Sequence, residues 1–465
     1  MQIENDKIEK QKVFRKFVEF FGSLIATKVI FVFALILRFI AFLLSLPYIN
    51  QHDVIQRYGH FDYAMYLFMY GKLPPIADYE FAQPPVNAFL QAMVMKFLSL
   101  FKDYTGNYLD LYAYTKILTL IYSILTLVII YKILNEFDIP RAMKNFVLAI
   151  MSFYPGLVIM ATQYSNDPLA YMFFYLSLYL TVKWCKNKKL STIILLALSI
   201  GLGMLTKISV GLIAFITGPM MLVVLFRSFR SGAEEHKVGH REIISQLVIF
   251  GLIVFPIGLS FSIRNYLLFG MKFGEIFEIV GESLMAMRHW NWTFVDRFLS
   301  FPVWRIVETN TDVYSGLRES SSWLTETIPP TVNGIYHSYV EYNVWIDLIK
   351  TATHDEFNFS NTLWHPLCVV LYVGNYIFHI FGICTMVLNI SDLIVGIKNR
   401  TLSHEDPILN LRIMSIMLFI LAIVAYVGFN IKYPYSCNSN YRYIAYITFA
   451  FAISIAIKCL QKRAK

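Results

Sequence analysis

The chain has 465 residues, of which 57% are hydrophobic, 16% aromatic and only 15% charged. A water-soluble domain of this size could not bury so much apolar surface, so the composition excludes an ordinary soluble protein and predicts a membrane protein. The net charge of +9 does not indicate nucleic-acid binding, because the sequence shows no soluble module with a basic face.

Ten apolar runs are candidates for membrane helices, since a bilayer core needs about 20 apolar residues per helix. The predicted spans are 24–46, 110–132, 144–162, 168–184, 190–205, 208–227, 243–262, 366–389, 411–430 and 442–458. The predicted fold class is therefore an all-α polytopic membrane protein with about 10 transmembrane helices. Three regions are expected: an N-terminal transmembrane module at 1–262 with an outer loop at 48–109, an outer-face region at 263–365, and C-terminal transmembrane helices at 366–465.

The distribution of lysine and arginine predicts the orientation of the spans. The N-terminus is cationic, and the gaps that follow even-numbered spans are cationic too. Positive charge favours the cytoplasmic side, so these gaps and both termini are expected to be cytoplasmic, in a membrane that is interpreted as a bacterial plasma membrane. The two long segments, Tyr48 to Leu109 and Arg264 to Trp364, then lie on the outer face.

The first outer segment begins with an acid directly after the first span. A carboxylate at Asp53 would lie at the depth of the lipid headgroups, where poor solvation raises its basicity and suits a general base acting on a hydroxyl. From Ile55 to Tyr70, apolar residues at helical spacing beside a polar stripe predict a helix along the membrane surface. Its charged residues Arg57 and Asp62 fit an ordinary solvated face equally well.

The stretch Pro84 to Phe101 is apolar, but it is not counted as a span. A crossing here would place every later cationic loop on the outer face, against the expected bias. It is predicted to be an interfacial or re-entrant outer-face helix, with Pro84 and Pro85 at positions that start helices well. The alternative is an ordinary span paired with another span that is not recognised.

Later span ends place one acid and three cations on the predicted outer face: Asp167, Lys207, Arg264 and Arg442. A single Lys or Arg at a span end is commonly a snorkelling side chain. The outer face is otherwise poor in cations near the spans, so the three together predict a bound anion, for which a lipid phosphate is the natural candidate.

A series of short motifs follows one order along the chain. The first outer loop contains Asp53, Gly59-His60, Leu73-Pro74-Pro75, Glu80 and Gln83-Pro84-Pro85-Val86. Later segments contain Ser165-Asn166-Asp167-Pro168, Gly203-Met204-Leu205-Thr206-Lys207, Ile263-Arg264-Asn265-Tyr266 and Asn440-Tyr441-Arg442-Tyr443. The ordered set resembles the GT-C-class polyprenyl-phosphate-sugar glycosyltransferases, which include dolichyl-phosphate-mannose protein mannosyltransferases and bacterial aminoarabinose transferases.

The resemblance implies roles for particular residues. Asp53 matches the aspartate that is the family's proposed catalytic base, and the acid-Pro-Pro element matches one on an outer interfacial helix. Many members have Asp-Glu at the first position, whereas Val54 follows Asp53 here. If the missing acid helps to bind an acceptor or metal, His60 or Glu80 must substitute for it, or the acceptor differs.

The implied reaction takes a sugar from a polyprenyl-phosphate carrier, because nucleotide sugars are not available on the outer face. Asp53 would deprotonate an acceptor hydroxyl, which attacks and inverts the anomeric carbon. Lys207, Arg264 and Arg442 would stabilise the leaving phosphate, and Asp167 would orient the sugar or the acceptor. No cofactor is required, although a divalent metal is compatible with this chemistry. The expected partners are the lipid-linked sugar, membrane lipids and a hydroxyl on a lipid, glycan or protein, with no nucleic acid.

Two other functions are consistent with many spans and a phosphate-binding outer face: a lipid-linked oligosaccharide flippase or transporter, and a polysaccharide polymerase. Transporters tend to place charges near the midplane on broken helices. Here the span interiors are nearly free of charge, with Arg38 and Asp392 as the main exceptions. Tryptophans in the second outer segment predict either a cover over the site or an interfacial aromatic belt.

Overall fold

The computed structural model describes residues 16, 19–46, 54, 58–77, 79–104, 108–230, 239–272, 294–306, 343–354, 365–401, 406–432 and 441–461. All regular structure in these ranges is helical, which confirms the predicted all-α fold class. Asp53 and most of the segment Arg264 to Trp364 lie outside the described residues. The predictions for Asp53 and for the tryptophan-rich cover therefore remain predictions.

The α-helices are α1 (Leu24–Ser45), α2 (His60–Tyr70), α3 (Val86–Leu98), α4 (Tyr108–Thr115), α5 (Ile117–Asn135), α6 (Arg141–Phe153), α7 (Pro155–Ile159), α8 (Asp167–Asn187), α9 (Leu190–Met204), α10 (Ala214–Arg230), α11 (His240–Phe269), α12 (Val344–His354), α13 (His365–Lys398), α14 (Pro407–Lys432) and α15 (Tyr441–Gln461). Short 3₁₀ turns occupy Tyr79–Ala82, Ile208–Ile213 and Val303–Ile306, and a π turn occupies Val295–Leu299.

Six helical segments in the described ranges are long and apolar enough to cross a membrane. They are Leu24–Ser45, Asp110–Asn135, Ile208–Phe229, His240–Phe269, Pro366–Lys398 and Pro407–Ile431. Their large apolar side chains are extensively exposed, as expected for surfaces that face lipid. The chain is therefore a multi-pass membrane protein, and these six segments coincide with six of the predicted spans.

The other four predicted spans form helices that are shorter or less apolar than those six. The predicted span 144–162 is not continuous: α6 ends at Phe153, and the five-residue α7 begins at Pro155. The break has a physical cause, because a proline disfavours helical geometry in the residue before it. Tyr154 accordingly has extended backbone geometry, with ψ 124°. The total of ten crossings remains a prediction.

Helix α2 corresponds to the predicted surface helix, and its described part begins at His60. The Gly59 N–H donates to Asp62 Oδ2 over 3.2 Å, so this acid caps the helix instead of only lying on a solvated face. Burial raises the pKa of the Asp62 carboxyl, while the backbone N–H groups of Gly59 and Tyr58 lower it. The helix ends at Gly71, whose φ of +62° is accessible to glycine.

Helix α3 forms within the stretch that was not counted as a span. It has 13 residues and begins directly after Pro85. At about 1.5 Å per residue it is roughly 20 Å long, which is too short for a hydrocarbon core of about 30 Å. Its length supports the prediction of a helix that does not cross the membrane.

The chain forms two compact units. Unit one comprises Met1–Phe33, Ile139–Ile159 and Ile279–Lys465, and unit two comprises Ala34–Asp138 and Met160–Glu278. Each unit is made of separate stretches of the chain, whereas each of the three regions expected from the sequence is continuous. Those three regions remain a prediction.

Buried polar contacts join the helices within each unit. In unit one, the Tyr154 hydroxyl donates to Asn375 Oδ1 over 2.5 Å, and Asn375 Nδ2 donates to the Ile349 carbonyl over 2.7 Å. In unit two, Trp184 Nε1 on α8 donates to Gln246 Oε1 on α11 over 2.7 Å. Such bonds fix helix positions where apolar packing alone is not directional.

Candidate active site

A buried pair of acid and imidazole connects α2 with the turn before α3. His60 Nδ1 lies 3.1 Å from Glu80 Oε2, and the two side chains are only 9% and 8% exposed. The 3₁₀ turn Tyr79–Ala82 positions the acid, and the Glu80 N–H donates to the Tyr58 carbonyl over 3.2 Å. The structure thus brings together two residues that the sequence resemblance selected from separate motifs.

A second buried pair lies at the start of α8. Lys207 Nζ donates to Asp167 Oδ1 over 2.6 Å, with side-chain exposures of 10% and 6%. The backbone N–H of Asp167 donates to Ser165 Oγ over 3.2 Å, which fixes the acid at the helix N-terminus. Lys207 was predicted as a cation for an anionic ligand, and here its charge is balanced by Asp167.

The Pro84-Pro85 segment is bonded to the loops that carry this second pair. Asn166 Nδ2 donates to Gln83 Oε1 over 2.8 Å, and Asn87 Nδ2 donates to the Ser165 carbonyl over 3.1 Å. The Val86 N–H at the start of α3 donates to the Leu205 carbonyl over 3.0 Å. Pro84 and Pro85 have no N–H to donate. The contacts are therefore made by the side chains of Gln83 and Asn87 and by the Val86 N–H, which is the first free N–H of the helix.

The end of α11 joins the same region. Arg264 Nη2 donates to the Pro74 carbonyl over 2.7 Å, and Asn265 Nδ2 donates to the Ala82 carbonyl over 2.9 Å. The guanidinium also lies 5.3 Å from the ring centroid of Phe261. These contacts place the predicted cation Arg264 beside the segment that was predicted to form the first outer loop.

The phenol of Tyr63 is influenced by two charged groups of this region, the Arg264 guanidinium and the Glu80 carboxylate. Burial raises its pKa, the Arg264 guanidinium lowers it, and Glu80 raises it further. Arg264 and the His60–Glu80 pair share one neighbourhood in unit two, because Arg264 and Asn265 bind the carbonyls of Pro74 and Ala82, which lie on either side of Glu80 in the chain. Tyr63 was absent from the predicted site because one buried aromatic residue in an amphipathic helix gives no distinctive sequence signal.

Two predicted site residues have no described side chain. Asp53 itself lies outside the described residues, but its neighbour Val54 is fully buried and belongs to one apolar core with Phe61, Tyr112 and Tyr164. Arg442 belongs to α15 in unit one, and its side chain is not described. The roles assigned to Asp53 and Arg442 therefore remain predictions.

Sequence reasoning missed a buried lysine near the end of α1. Lys116 is fully buried, its Nζ donates to the Ser45 carbonyl over 3.0 Å, and it lies 5.6 Å from the ring centroid of Tyr112. Within the described ranges, no carboxylate pairs with this ammonium. The available signal was a lysine inside an otherwise apolar run, which is costly unless it has a structural or functional role.

His60 and Glu80 are residue types that can bind a divalent metal. Across the described part of the chain, however, no three His, Cys, Asp or Glu side chains come close enough to form a metal-binding group. The described part of the site consists of the charged pairs His60–Glu80 and Asp167–Lys207, the cation Arg264 and neutral hydrogen-bonding groups.

Residues 82–256 match the family model described as dolichyl-phosphate-mannose-protein mannosyltransferase. The matched segment contains Gln83, Asp167 and Lys207, which are connected in the structure through the bonds around α3. The resemblance inferred from the ordered motifs is thereby confirmed for this segment.

Two solved structures are similar to the chain at low sequence identity. Both are crystal structures of ArnT from Cupriavidus metallidurans. The structure bound to undecaprenyl phosphate is 13% identical, with a TM-score of 0.36, over 95% of this chain and 79% of that chain. The apo structure is 11% identical, with a TM-score of 0.34, over 92% and 77%. No curated protein matches the sequence.

Proposed function

We propose that the chain is a membrane glycosyltransferase that moves a sugar from a polyprenyl-phosphate carrier to a hydroxyl acceptor on the outer, non-cytoplasmic face. The observation that carries the proposal is the convergence of His60–Glu80, Asp167–Lys207 and Arg264 around the Pro-Pro segment of unit two. The family match covers residues 82–256, which include Pro84, Pro85, Asp167 and Lys207.

The donor is a sugar joined to a lipid phosphate. The description of the matched family names such a donor, dolichyl-phosphate-mannose. The predicted outer face has no supply of nucleotide sugars, whereas a lipid carrier reaches it through the membrane. Lys207 and Arg264 provide the positive charge that a phosphate monoester requires, and Arg264 offers a planar guanidinium for its oxygens.

In the proposed mechanism, the Asp53 carboxylate takes the proton of the acceptor hydroxyl. The acceptor oxygen forms a bond to the anomeric carbon, and the bond from that carbon to the phosphate oxygen breaks with inversion. The electron pair leaves on the lipid phosphate, whose growing charge is stabilised by Lys207 and Arg264. Asp167 keeps the Lys207 ammonium in place before the donor arrives.

The positive charges of Lys207 and Arg264 would allow the reaction to proceed without a cofactor. A metal ion in a transferase neutralises a leaving phosphate, and here the two cations would perform this task. His60 and Glu80 would bind hydroxyl groups of the sugar or the acceptor, because an imidazole and a carboxylate offer complementary donors and acceptors.

The test is a transfer assay with the purified protein in vesicles of lipids from the producing cells, supplied with a radiolabelled polyprenyl-phosphate sugar. Wild-type protein is expected to move label from the carrier to another molecule. Asp53→Asn should lower the rate by about 100-fold or more, because it removes a general base. Asp406→Asn is the control, because Asp406 is an exposed residue that caps α14.

The alternative classes give different results in the same vesicles. A flippase would move the intact carrier across the membrane without separating the sugar from the phosphate. A polymerase would require a carrier diphosphate and would not use the monophosphate. Either result, or full activity of Asp53→Asn, would contradict the proposal.

A further inference from the structure

Helix α3 and the turn before it present a row of buried amide side chains. Asn87 and Gln91 are four residues apart on α3 and therefore lie on one face, and Gln83 lies in the turn before the helix. Their exposures are 1%, 0% and 8%. Gln83 bonds to Asn166, and Asn87 bonds to the Ser165 carbonyl. Gln91 differs: among the residues that the structure describes, nothing hydrogen-bonds to either its Nε2 or its Oε1.

Two further polar groups, one in this row and one beside it, also lack a hydrogen-bond partner among the described residues. In the described structure, neither Asn87 Oδ1 nor the fully buried Tyr112 hydroxyl has a hydrogen-bond partner. Tyr112 packs on Tyr164 with ring centroids 4.9 Å apart, and Tyr164 directly precedes Ser165, the residue that Asn87 binds. Buried polar groups are normally paired, so a concentration of unpaired groups in one cluster requires an explanation.

Gln91 lies in the same part of the fold as Tyr112. Its neighbours on α3, Ala88, Ala92 and Met95, pack in one core with Tyr112 and Tyr164. The unpaired groups therefore lie around the contact between α3, α4 and the start of α8, and not on a surface that solvent would satisfy.

The chemistry of these groups selects a class of ligand. Gln91 offers a donor and an acceptor, Asn87 offers an acceptor, and the Tyr112 hydroxyl can do both. None carries a charge, so a phosphate would gain little, and an apolar lipid chain would leave all of them unpaired. A neutral ring with several hydroxyls satisfies donors and acceptors together, and its faces fit the aromatic rings nearby.

We propose that Asn87, Gln91 and Tyr112 recognise the hydroxyls of the sugar carried on the lipid phosphate. This inference rests on the proposed function and adds the residues that select the sugar. The N-terminus of α3 is bonded to Leu205, two residues before Lys207. Gln91 follows Val86 by five residues, so it lies about 7.5 Å along the helix from the end that is bonded to Leu205.

The experiment compares two lipids by their effect on the melting temperature of the full-length protein in detergent. One is undecaprenyl phosphate, and the other is the same lipid bearing a hexose, an N-acetylhexosamine or an aminopentose. We expect at least one sugar-bearing carrier to raise the melting temperature more than bare undecaprenyl phosphate does. The difference between the two shifts is the sugar increment.

Gln91→Leu is expected to abolish the sugar increment while keeping the shift caused by undecaprenyl phosphate. Tyr112→Phe removes one hydroxyl and should reduce the increment. In the transfer assay, Gln91→Leu should raise KM for the preferred carrier by about 10-fold, because one or more hydrogen bonds to the sugar are lost.

Gln246→Leu is the matched control, because it is also a buried glutamine in unit two but its amide is paired with Trp184 and the Lys188 carbonyl. It should lower the melting temperature of the ligand-free protein and keep the sugar increment. Gln91→Leu should not lower that temperature, because its amide has no described partner to lose.

Two results would overturn the inference. One is a sugar increment that survives in Gln91→Leu, and the other is a wild-type protein that responds equally to carriers with and without sugar. Both leave the proposed function intact if the transfer assay succeeds. Failure of the proposed function looks different, because then neither lipid stabilises the protein and no label is transferred.

Discussion

The Asp167–Lys207 pair shows how a single contact changes the meaning of a sequence feature. A lysine at an outer span end suggested a cation waiting for an anion, whereas the structure gives it a carboxylate 2.6 Å away in a buried setting. Removing one partner of a buried pair leaves an uncompensated charge, which costs more than removing both.

Asp167→Asn is therefore expected to lower the free energy of unfolding by about 3 kcal/mol, and Asp167→Asn combined with Lys207→Gln should recover most of this loss. Thermal unfolding in detergent measures both. The double variant should still lack transfer activity, because it no longer has Lys207, the residue proposed to bind the phosphate. Equal instability of the single and double variants would show that the two side chains do not stabilise each other.

Lys116 is a second residue whose role depends on the tertiary structure. Its ammonium binds the carbonyl of Ser45 at the end of α1, and the chain continues from there towards Asp53. Lys116→Met keeps the length of the side chain but removes that bond. We expect little loss of stability, because the variant also removes an ammonium that is buried without a carboxylate partner among the described residues. We expect a loss of transfer activity of about 10-fold, because the approach to the general base is less well fixed.

Lys102→Met is the control for this variant, since Lys102 is an exposed lysine that also lies over a tyrosine ring. It should leave stability and transfer unchanged. Wild-type activity in Lys116→Met would show that the position of the α1 end does not depend on this ammonium.

At the scale of elements, the contact of α9 with its neighbours depends on small residues. A Cβ added at Gly203 would lie 2.6 Å from Val210 Cγ1 and 3.0 Å from Phe173 Cβ. Gly201 and Gly258 have similarly close neighbours on the facing helices. Glycines allow these backbones to approach, and Lys207 follows shortly after the end of α9.

Gly203→Ala is therefore expected to destabilise the protein by about 1–3 kcal/mol through overpacking, with a parallel loss of activity because the Lys207 turn shifts. Gly218→Ala is the matched control, since nothing lies within 4 Å of a Cβ at that position in α10. Thermal unfolding of both variants decides the point. An unchanged melting temperature in Gly203→Ala would mean that α9 has room to move.

At the scale of the whole molecule, the orientation of the chain remains a prediction, and it decides whether the proposed site can meet a lipid-linked donor. Lys102 and Lys186 are both exposed in the structure. The predicted topology places Lys102 on the outer face and Lys186 on the cytoplasmic face.

In a background with the five native cysteines replaced, Lys102→Cys should react with a membrane-impermeant maleimide in intact cells. Lys186→Cys should react only after the membrane is permeabilised. The reverse pattern, or labelling of both in intact cells, would contradict the predicted sidedness.

The amino-acid sequence by itself determined the membrane location and the helical fold class, because apolar composition and run length act locally along the chain. It also selected His60, Glu80, Asp167, Lys207 and Arg264 by their order in motifs. Only the tertiary structure decided which of them pair, because pairing depends on where separate helices end in space. Asn87, Gln91 and Lys116 could not be selected in advance, since a lone polar residue in an apolar run acquires its role only from the groups that surround it after folding.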